Sequence, residues 1–492
     1  MTTPGLSELL CKTDRAGVDF LCGENEGMRS VLAAVASRQR RTLAVQARAL
    51  DSLSGVPHML PYEAPTLPVC VSRASGSRIV DVDGNEYVDC HMAYTASLLG
   101  HNPPPVTEAV RAALDRGLQG GHFFEEQLEL GELVRSMVPG AERVAFFHTG
   151  GEAIAAAVRL ARAATGRTRV AKFEGCYHGS NDVGLHNTWM ILSGAVSEDP
   201  LDGIAPRAAT RGLPTDGSFL VLPYNSTVAF DLLRRHAAEL ACVVVDPTPA
   251  FMSNWLEECR GFVSECCAVA REAGVPVVFD EVVCGFRLAK GGAREWSGAA
   301  PAMSCFGKVT GGLGLPLSIL AGDARFLDLA RTSGLFRDYY PGKSWLASTL
   351  SSGFLPVVAC LAQLRLLSER YEGVVGRLDS GAALLRERLA DFAGRSGIPV
   401  SLQGSPRLQM QLAVGKPEPA EHTYRGVMSS ASPAAFRTIL AATFYLRLQG
   451  VYTKVVPTMN LSAAHTEEDV ALVADGIERS LVAMEKDGML AP

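Results

Sequence analysis

The chain has 492 residues and 52.3 kDa, with 46 Lys plus Arg against 52 Asp plus Glu, a formal charge of −6. That length exceeds the roughly 100–200 residues of one ordinary domain, and 47% hydrophobic with 20% charged residues is a globular balance that does not suggest disorder. The charge leaves no electrostatic footprint for nucleic acid, and apolar runs such as the one near Pro356 break well before the roughly 20 residues that cross a bilayer.

Four stretches are expected: a leader over 1–30, a segment with a helix and a hairpin over 31–105, a large α/β domain over 106–350, and a smaller α+β domain over 351–492. The leader is polar and lacks the basic-then-apolar order of a signal peptide. Helical spacing of apolar residues predicts a helix from Val31 to Leu53. Glycine and several prolines then make 54–68 irregular. Two alternating strands flank Asp83-Gly84-Asn85, a hairpin signal. Prolines after Asn102 open the next helix.

From about Arg143 the pattern alternates. An apolar strand runs into the turn His148-Thr149-Gly150-Gly151-Glu152 and a long alanine-rich helix. Strands follow at RVAKFEG, FLVLPYN, the continuously apolar ELACVVVDP and GVPVVFDEV, with a helix from about Trp255 to Ala273. Two further strands or turns are expected at AMSCFGK and PLSILAGD, and long helices with a few strands fill the chain beyond Ser352. Such alternation predicts helices covering a mostly parallel sheet, with a site beyond the carboxyl ends of its strands. The 12 cysteines are scattered without a CxxC pair, which points to a reducing cytoplasm and mostly apolar roles; no metal site is expected.

Three segments could carry chemistry. The glycine turn at 149–151 could hold a phosphate on free backbone N–H groups, although glycines at a strand–helix turn are often structural. Asp280, at the end of a buried strand, needs a positive partner; it could pair with a protonated pyridine nitrogen, cap a helix or bind a metal. Lys308 stands alone in a glycine-rich apolar stretch, where burial would lower its pKa and leave an amine able to form a Schiff base.

Taken in order, these segments resemble the class III (subgroup II) pyridoxal-phosphate aminotransferases of fold type I, on the glutamate-1-semialdehyde 2,1-aminomutase-like branch. The resemblance spans roughly Arg40 to Val470. It rests on DVDGNEYVD, LLGHNPP, HTGGEA, KFEGCYHG, FDEVVCGFRLAKGGAREWSG, FGKVTGGLGLPL, ASTLSS and AAHTEEDV. It implies a large domain with a mostly parallel seven-stranded sheet, a smaller α+β domain, and a cytoplasmic homodimer with shared active sites. Lys308 would carry pyridoxal 5'-phosphate as a Schiff base and shuttle the proton. Asp280 would face the pyridine nitrogen and Tyr177 the ring, although Tyr177 also reads as a core aromatic. His178 would support that motif, Thr149, Gly150 and Gly151 would cradle the phosphate, and Thr349 would reach it from the neighbouring subunit. Asp246 and Glu281 stand where the family keeps acids near the cofactor's rim.

The departures from the family concern the substrate. Gly151 replaces a hydroxyl residue, and Asp246-Pro247 replaces Glu-Pro. Where carboxylate-binding relatives keep an arginine, the run Leu53–Met59 has none and offers His58. Arg425 or Arg407 could substitute, or the substrate could lack a free carboxylate. The expected activity is amino-group transfer between a small amino donor and an uncommon keto or aldehyde acceptor of specialised metabolism. An intramolecular aminomutase and an amino-acid racemase or epimerase stand as alternatives, as does a scaffold that has lost turnover.

Overall fold

In the computed structural model, residues 21–23, 25–53, 69–118, 121–188, 204–214, 218–331, 343–346, 348–415, 419–429, 433–453 and 457–490 are described. Two helices, α1 (Glu26–Arg38) and α2 (Arg40–Ser52), stand where apolar spacing predicts a single one from Val31. Gln39 breaks the run. Its backbone turns to φ −120°, ψ 40°, and its buried side-chain amide donates to the Tyr87 hydroxyl over 3.0 Å.

Helix α2 then starts on a carboxylate supplied by the hairpin. Asp83 accepts from the Arg41 N–H (2.6 Å), the Thr42 N–H (2.9 Å) and the Thr42 hydroxyl (2.8 Å). These are the donors that a helix start leaves without internal partners. Asp83 lies in the turn between strands β2 (Arg78–Asp81) and β3 (Glu86–Asp89), with β1 (Val71–Ser75) antiparallel on the far side of β2.

The large domain follows as α3 (Pro104–Leu114), α4 (Glu125–Met137), β4 (Arg143–Phe147), α5 (Gly150–Thr165), β5 (Arg169–Phe173), β6 (Phe219–Leu222), α6 (Val228–His236), β7 (Leu240–Val245), α7 (Leu256–Glu272), β8 (Val277–Glu281), α8 (Gly292–Ser297), β9 (Met303–Phe306) and β10 (Ser318–Gly322). Seven of these strands form one sheet, ordered β4-β10-β9-β8-β7-β5-β6. Only β10 runs against its neighbours; the other pairings are parallel. Every residue of β7 and β8 is buried, as a strand covered by helices on both faces requires. Because β10 reverses direction between β4 and β9, the carboxyl ends of β4, β5, β7, β8 and β9 all open on the same edge.

Helix α9 (Phe354–Ser396) packs against α3 and α4, is interrupted at Arg370 (φ −123°), and ends at left-handed Gly397. Beyond it lie the hairpin β11 (Val400–Gly404) and β12 (Met410–Val414), α10 (Tyr424–Ser429), α11 (Pro433–Leu448), β13 (Val451–Tyr452) and α12 (Glu467–Lys486). Strand β13 pairs in parallel with β3, so the N-terminal hairpin and the C-terminal unit share a sheet. They share a core as well, with Val31, Val88, Leu385, Phe444 and Ile477 in one apolar cluster. A capping box, Thr466 with Asp469, starts α12, and Asp469 also accepts from Ser77 (2.8 Å) and Arg78 (2.7 Å) of the N-terminal part.

No described helix is long and apolar enough to cross a membrane. Among the described residues the cysteines form no disulfide, and all but Cys70 are buried.

Removing the Asp83 carboxylate should uncap α2. The Asp83→Ala protein is expected to lose about 1 kcal/mol of unfolding free energy, read from urea denaturation. Unchanged stability would mean that α2 starts without this cap.

Candidate active site

Residues at the ends of five strands converge on the open edge of the large sheet. Asp280 is the second-last residue of strand β8 and is 6% exposed. One carboxylate oxygen lies 2.7 Å from His178 Nδ1 and the other accepts from the Val282 N–H at 3.0 Å. Since a carboxylate only accepts, Nδ1 carries the proton of that contact. His178 is itself 1% exposed, and burial lowers its pKa against the opposing pull of Asp280. Its ring therefore acts as a neutral donor that fixes the carboxylate.

Lys308 follows β9 and is held in the left-handed region at φ 50°, the kind of backbone strain that concentrates at functional sites. Burial lowers the pKa of its amine, while Asp280 and Asp246 act in the opposite sense. Asp246, just beyond β7, accepts from the Thr248 N–H at 3.0 Å. Burial and then the charge of Asp280 push its carboxyl upward. Of the two acids, Asp280 is the one held by donors on both oxygens.

Tyr177 contrasts with this buried group. It is 39% exposed, close enough to Asp280 that the carboxylate adds to the effect of burial in raising its phenol pKa. A flat aromatic left open above a buried acid is a surface on which a ring can stack.

At the neighbouring turn, Thr149 caps α5 by accepting from the Glu152 N–H at 3.2 Å, and Gly150 and Gly151 open the helix. A Cβ on Gly150 would come within 2.4 Å of Val282, and a Cβ on Gly179 within 2.5 Å of Gly151. The turn thus packs directly on the loop carrying Tyr177 and His178. The first backbone N–H groups of α5 have no partners inside the helix, which suits an anion.

Other residues singled out in the sequence lie elsewhere. Glu281 is directed to the opposite face of the sheet from Asp280. Its Oε2 accepts from the Ala293 N–H at the start of α8, and burial pushes its pKa up to about 7. The alternation of a strand explains the separation: adjacent residues face opposite ways, so Glu281 cannot line the rim with Asp280. Arg425, on α10, donates from Nε to Glu174 at 2.9 Å, and Arg407 pairs with Asp379 at 2.8 Å. Both guanidinium groups thus face acids of this chain. Thr349 is exposed, beside exposed Leu350. His58 lies outside the described residues.

Two features were not singled out in the sequence although they fall within or beside its motifs. Arg287, in GFRLAK, is 1% exposed and donates to the Thr95 carbonyl at 2.7 Å. Its positive charge helps to lower the pKa of Lys308. Thr95 ends a run from Met92 in which all four residues have positive φ although none is glycine. Asp89 ties the start of that turn by accepting from the His91 and Met92 N–H groups at 2.8 and 3.0 Å. No glycine marks the turn in the sequence, so only the tertiary ties reveal it.

Comparison with known proteins places this edge in context. The family model of class-III aminotransferases matches residues 59–404. A glutamate-1-semialdehyde 2,1-aminomutase of Thermomicrobium roseum is 33% identical over 423 residues, covering 84% of this chain and 91% of that protein. Among solved structures, an omega-transaminase from Sphaerobacter thermophilus superposes with a TM-score of 0.76 at 27% identity, covering 89% of this chain and 96% of that one. A transaminase with pyridoxal phosphate bound gives a TM-score of 0.74 at 26% identity, covering 92% and 99%. The donor set fits such a group: an amine of lowered pKa, a fixed carboxylate, an open aromatic face and an anion-ready helix start.

The position of Glu281 yields a test with a definite sign. A carboxyl whose pKa is raised on folding contributes its stability below the unfolded value and loses it as pH climbs toward about 7. Glu281→Gln should therefore behave like the native protein near pH 4.5 and be more stable at pH 8, by about 1–3 kcal/mol in urea denaturation. An equal shift at both pH values would show that the buried charge is not its cause.

Proposed function

Since the chain belongs to the class-III aminotransferases and works with pyridoxal phosphate, we propose that it moves an amino group from a small amino donor to an uncommon keto or aldehyde acceptor. The observation that carries this reading is Lys308, a strained lysine with a lowered pKa at the strand edge, subject to the charges of Asp280 and Asp246.

When bound, pyridoxal phosphate supplies a carbonyl that captures an amine and a ring that accepts electrons as a bond at the amine-bearing carbon breaks. In this reading Lys308 Nζ would hold the carbonyl end of the group and, as a free amine, would accept the proton of the substrate's amine-bearing carbon. Its lowered pKa favours the unprotonated amine that can accept that proton. Asp280 would balance a positive charge on the ring nitrogen, and His178 with the Val282 N–H holds its carboxylate in place. Asp246, its carboxyl pushed upward beside Asp280, competes little for that positive charge. Tyr177 would cover one ring face, while Thr149, Gly150 and Gly151 would receive the phosphate.

Thr349 would complete the phosphate site of a second copy. Its exposure, amid exposed Trp345 and Leu350, supports a place at a contact between copies. His58 remains the proposed substrate contact on the entrance side. With Arg425 facing Glu174 and Arg407 facing Asp379, the substrate we favour presents no free carboxylate to either arginine.

The second reading is intramolecular amino transfer, supported by the name of the Thermomicrobium relative. One pair of measurements separates the two. For the aminotransferase, mixing the loaded protein with its donor alone should convert the cofactor once to its amine form and stop, with turnover resuming only when an acceptor is added. Continuous conversion of a single compound without an acceptor would contradict it and favour the aminomutase.

A further inference from the structure

Lys172, in the middle of strand β5, is 0% exposed, and the reactions above make no use of it. An ammonium group in a sheet interior is costly to desolvate, and a methionine would fill similar space without that cost. What Lys172 faces is backbone. Its Nζ donates to the Cys176 carbonyl at 3.0 Å, to the Val183 carbonyl at 2.9 Å and to the His186 carbonyl, with the Gly184 carbonyl at 3.5 Å. Carbonyl oxygens accept and never donate, so this cluster favours the ammonium form with all three N–H groups, although burial draws its pKa down to about 7.

These carbonyls belong to both ends of a single irregular loop, 174–188. Cys176 directly precedes Tyr177, and the same loop carries His178 to Asp280 and Gly179 to the turn at Gly151. Asn181 adds a lighter tie, donating to the Gly151 carbonyl at 3.0 Å and the His178 carbonyl at 3.1 Å. Without a donor at the centre, the carbonyls of Cys176, Val183 and His186 would lose their partner together, and the loop's own backbone ties are isolated bridges, Gly175 to Thr188 and His186 to Ala208, rather than a ladder. The charge matters as well: burial does most to lower the His178 pKa, and nearby Lys172 adds a smaller push in the same direction.

We propose that Lys172 is a positioning residue, which by gathering the carbonyls of the 176–186 loop sets Tyr177 and His178 where they meet the cofactor ring and Asp280. The inference rests on the assignment of Tyr177 and His178 to the cofactor, and goes beyond it by naming what holds them.

The test uses full-length protein with and without pyridoxal phosphate and two substitutions. Lys172→Met removes every donor at similar volume, and Lys172→Gln keeps two. The readouts are the dissociation constant of pyridoxal phosphate, from its visible absorption, and hydrogen exchange of peptides within 173–188 against peptides of β7 and α9. Lys172→Met should weaken cofactor binding by about tenfold or more, the effect of unpairing a buried group. Exchange should rise within 173–188 and stay unchanged in β7 and α9, in the cofactor-free protein too. Lys172→Gln should fall between Met and native. Native affinity with native exchange in either variant would overturn the proposal, as would exchange that rises equally in β7 and α9, which would make Lys172 a residue of general stability. If Lys172→Met does not fold, the same comparisons on Lys172→Gln decide. Native protein that takes up no cofactor would sink the underlying assignment; normal native uptake with an unaffected Lys172→Gln would sink the role of Lys172 alone.

Discussion

The negative charge of Asp280 at the end of a fully buried strand is the constraint on which the site depends. A carboxylate there survives only if its surroundings hold it as an anion. His178 and the Val282 N–H do so from within the chain. The sheet then makes this one charge felt by everything around it. Asp280 raises the phenol pKa of Tyr177, adds to the upward push on Asp246, and partly restores the basicity that burial takes from Lys308. In the proposed site a positively charged ring beside Asp280 would satisfy the anion and relax that field.

Geometry supplies the rest. The reversal of β10 lets β4 lie parallel to β9 at the sheet edge, so the turn at 149–151 opens on the same side as Asp246, Asp280 and Lys308. Close glycine contacts between that turn and the loop at Gly179 leave little room for either to move alone. Strain accompanies this fixity: Lys308 and the residues from Met92 to Thr95 all hold positive φ. Arg287 joins the two strained places, donating to the Thr95 carbonyl while lowering the pKa of Lys308. Strain of this kind persists where surrounding contacts over-determine the backbone.

Much of this was legible in the sequence. The continuous apolar runs of β7 and β8 mark a two-sided sheet, and the glycine turn before an alanine-rich helix marks the strand-to-helix junction at 149–151. A solitary lysine between glycines marks Lys308. Less legible were relations that depend on distant partners. Helical spacing cannot show that Gln39 would break a helix, because the cause is Tyr87 and a carboxylate from the hairpin turn. The pair Asp280-Glu281 reads as two acids at one rim, whereas strand alternation sends Glu281 to α8. Arg425 reads as a cation available to a substrate until the fold sets it against Glu174. Lys172 and Arg287 lay inside quoted motifs, yet nothing local to them announces that they serve the backbone of other segments.

In the proposed site Lys308, among all lysines of the chain, holds the cofactor. Reducing the purified, loaded protein with borohydride and mapping its peptides by mass spectrometry tests this directly. A phosphopyridoxyl group is expected on Lys308 and on no other lysine. Its appearance on Lys172 or elsewhere with Lys308 unmodified, or its absence from a protein that binds the cofactor, would contradict it.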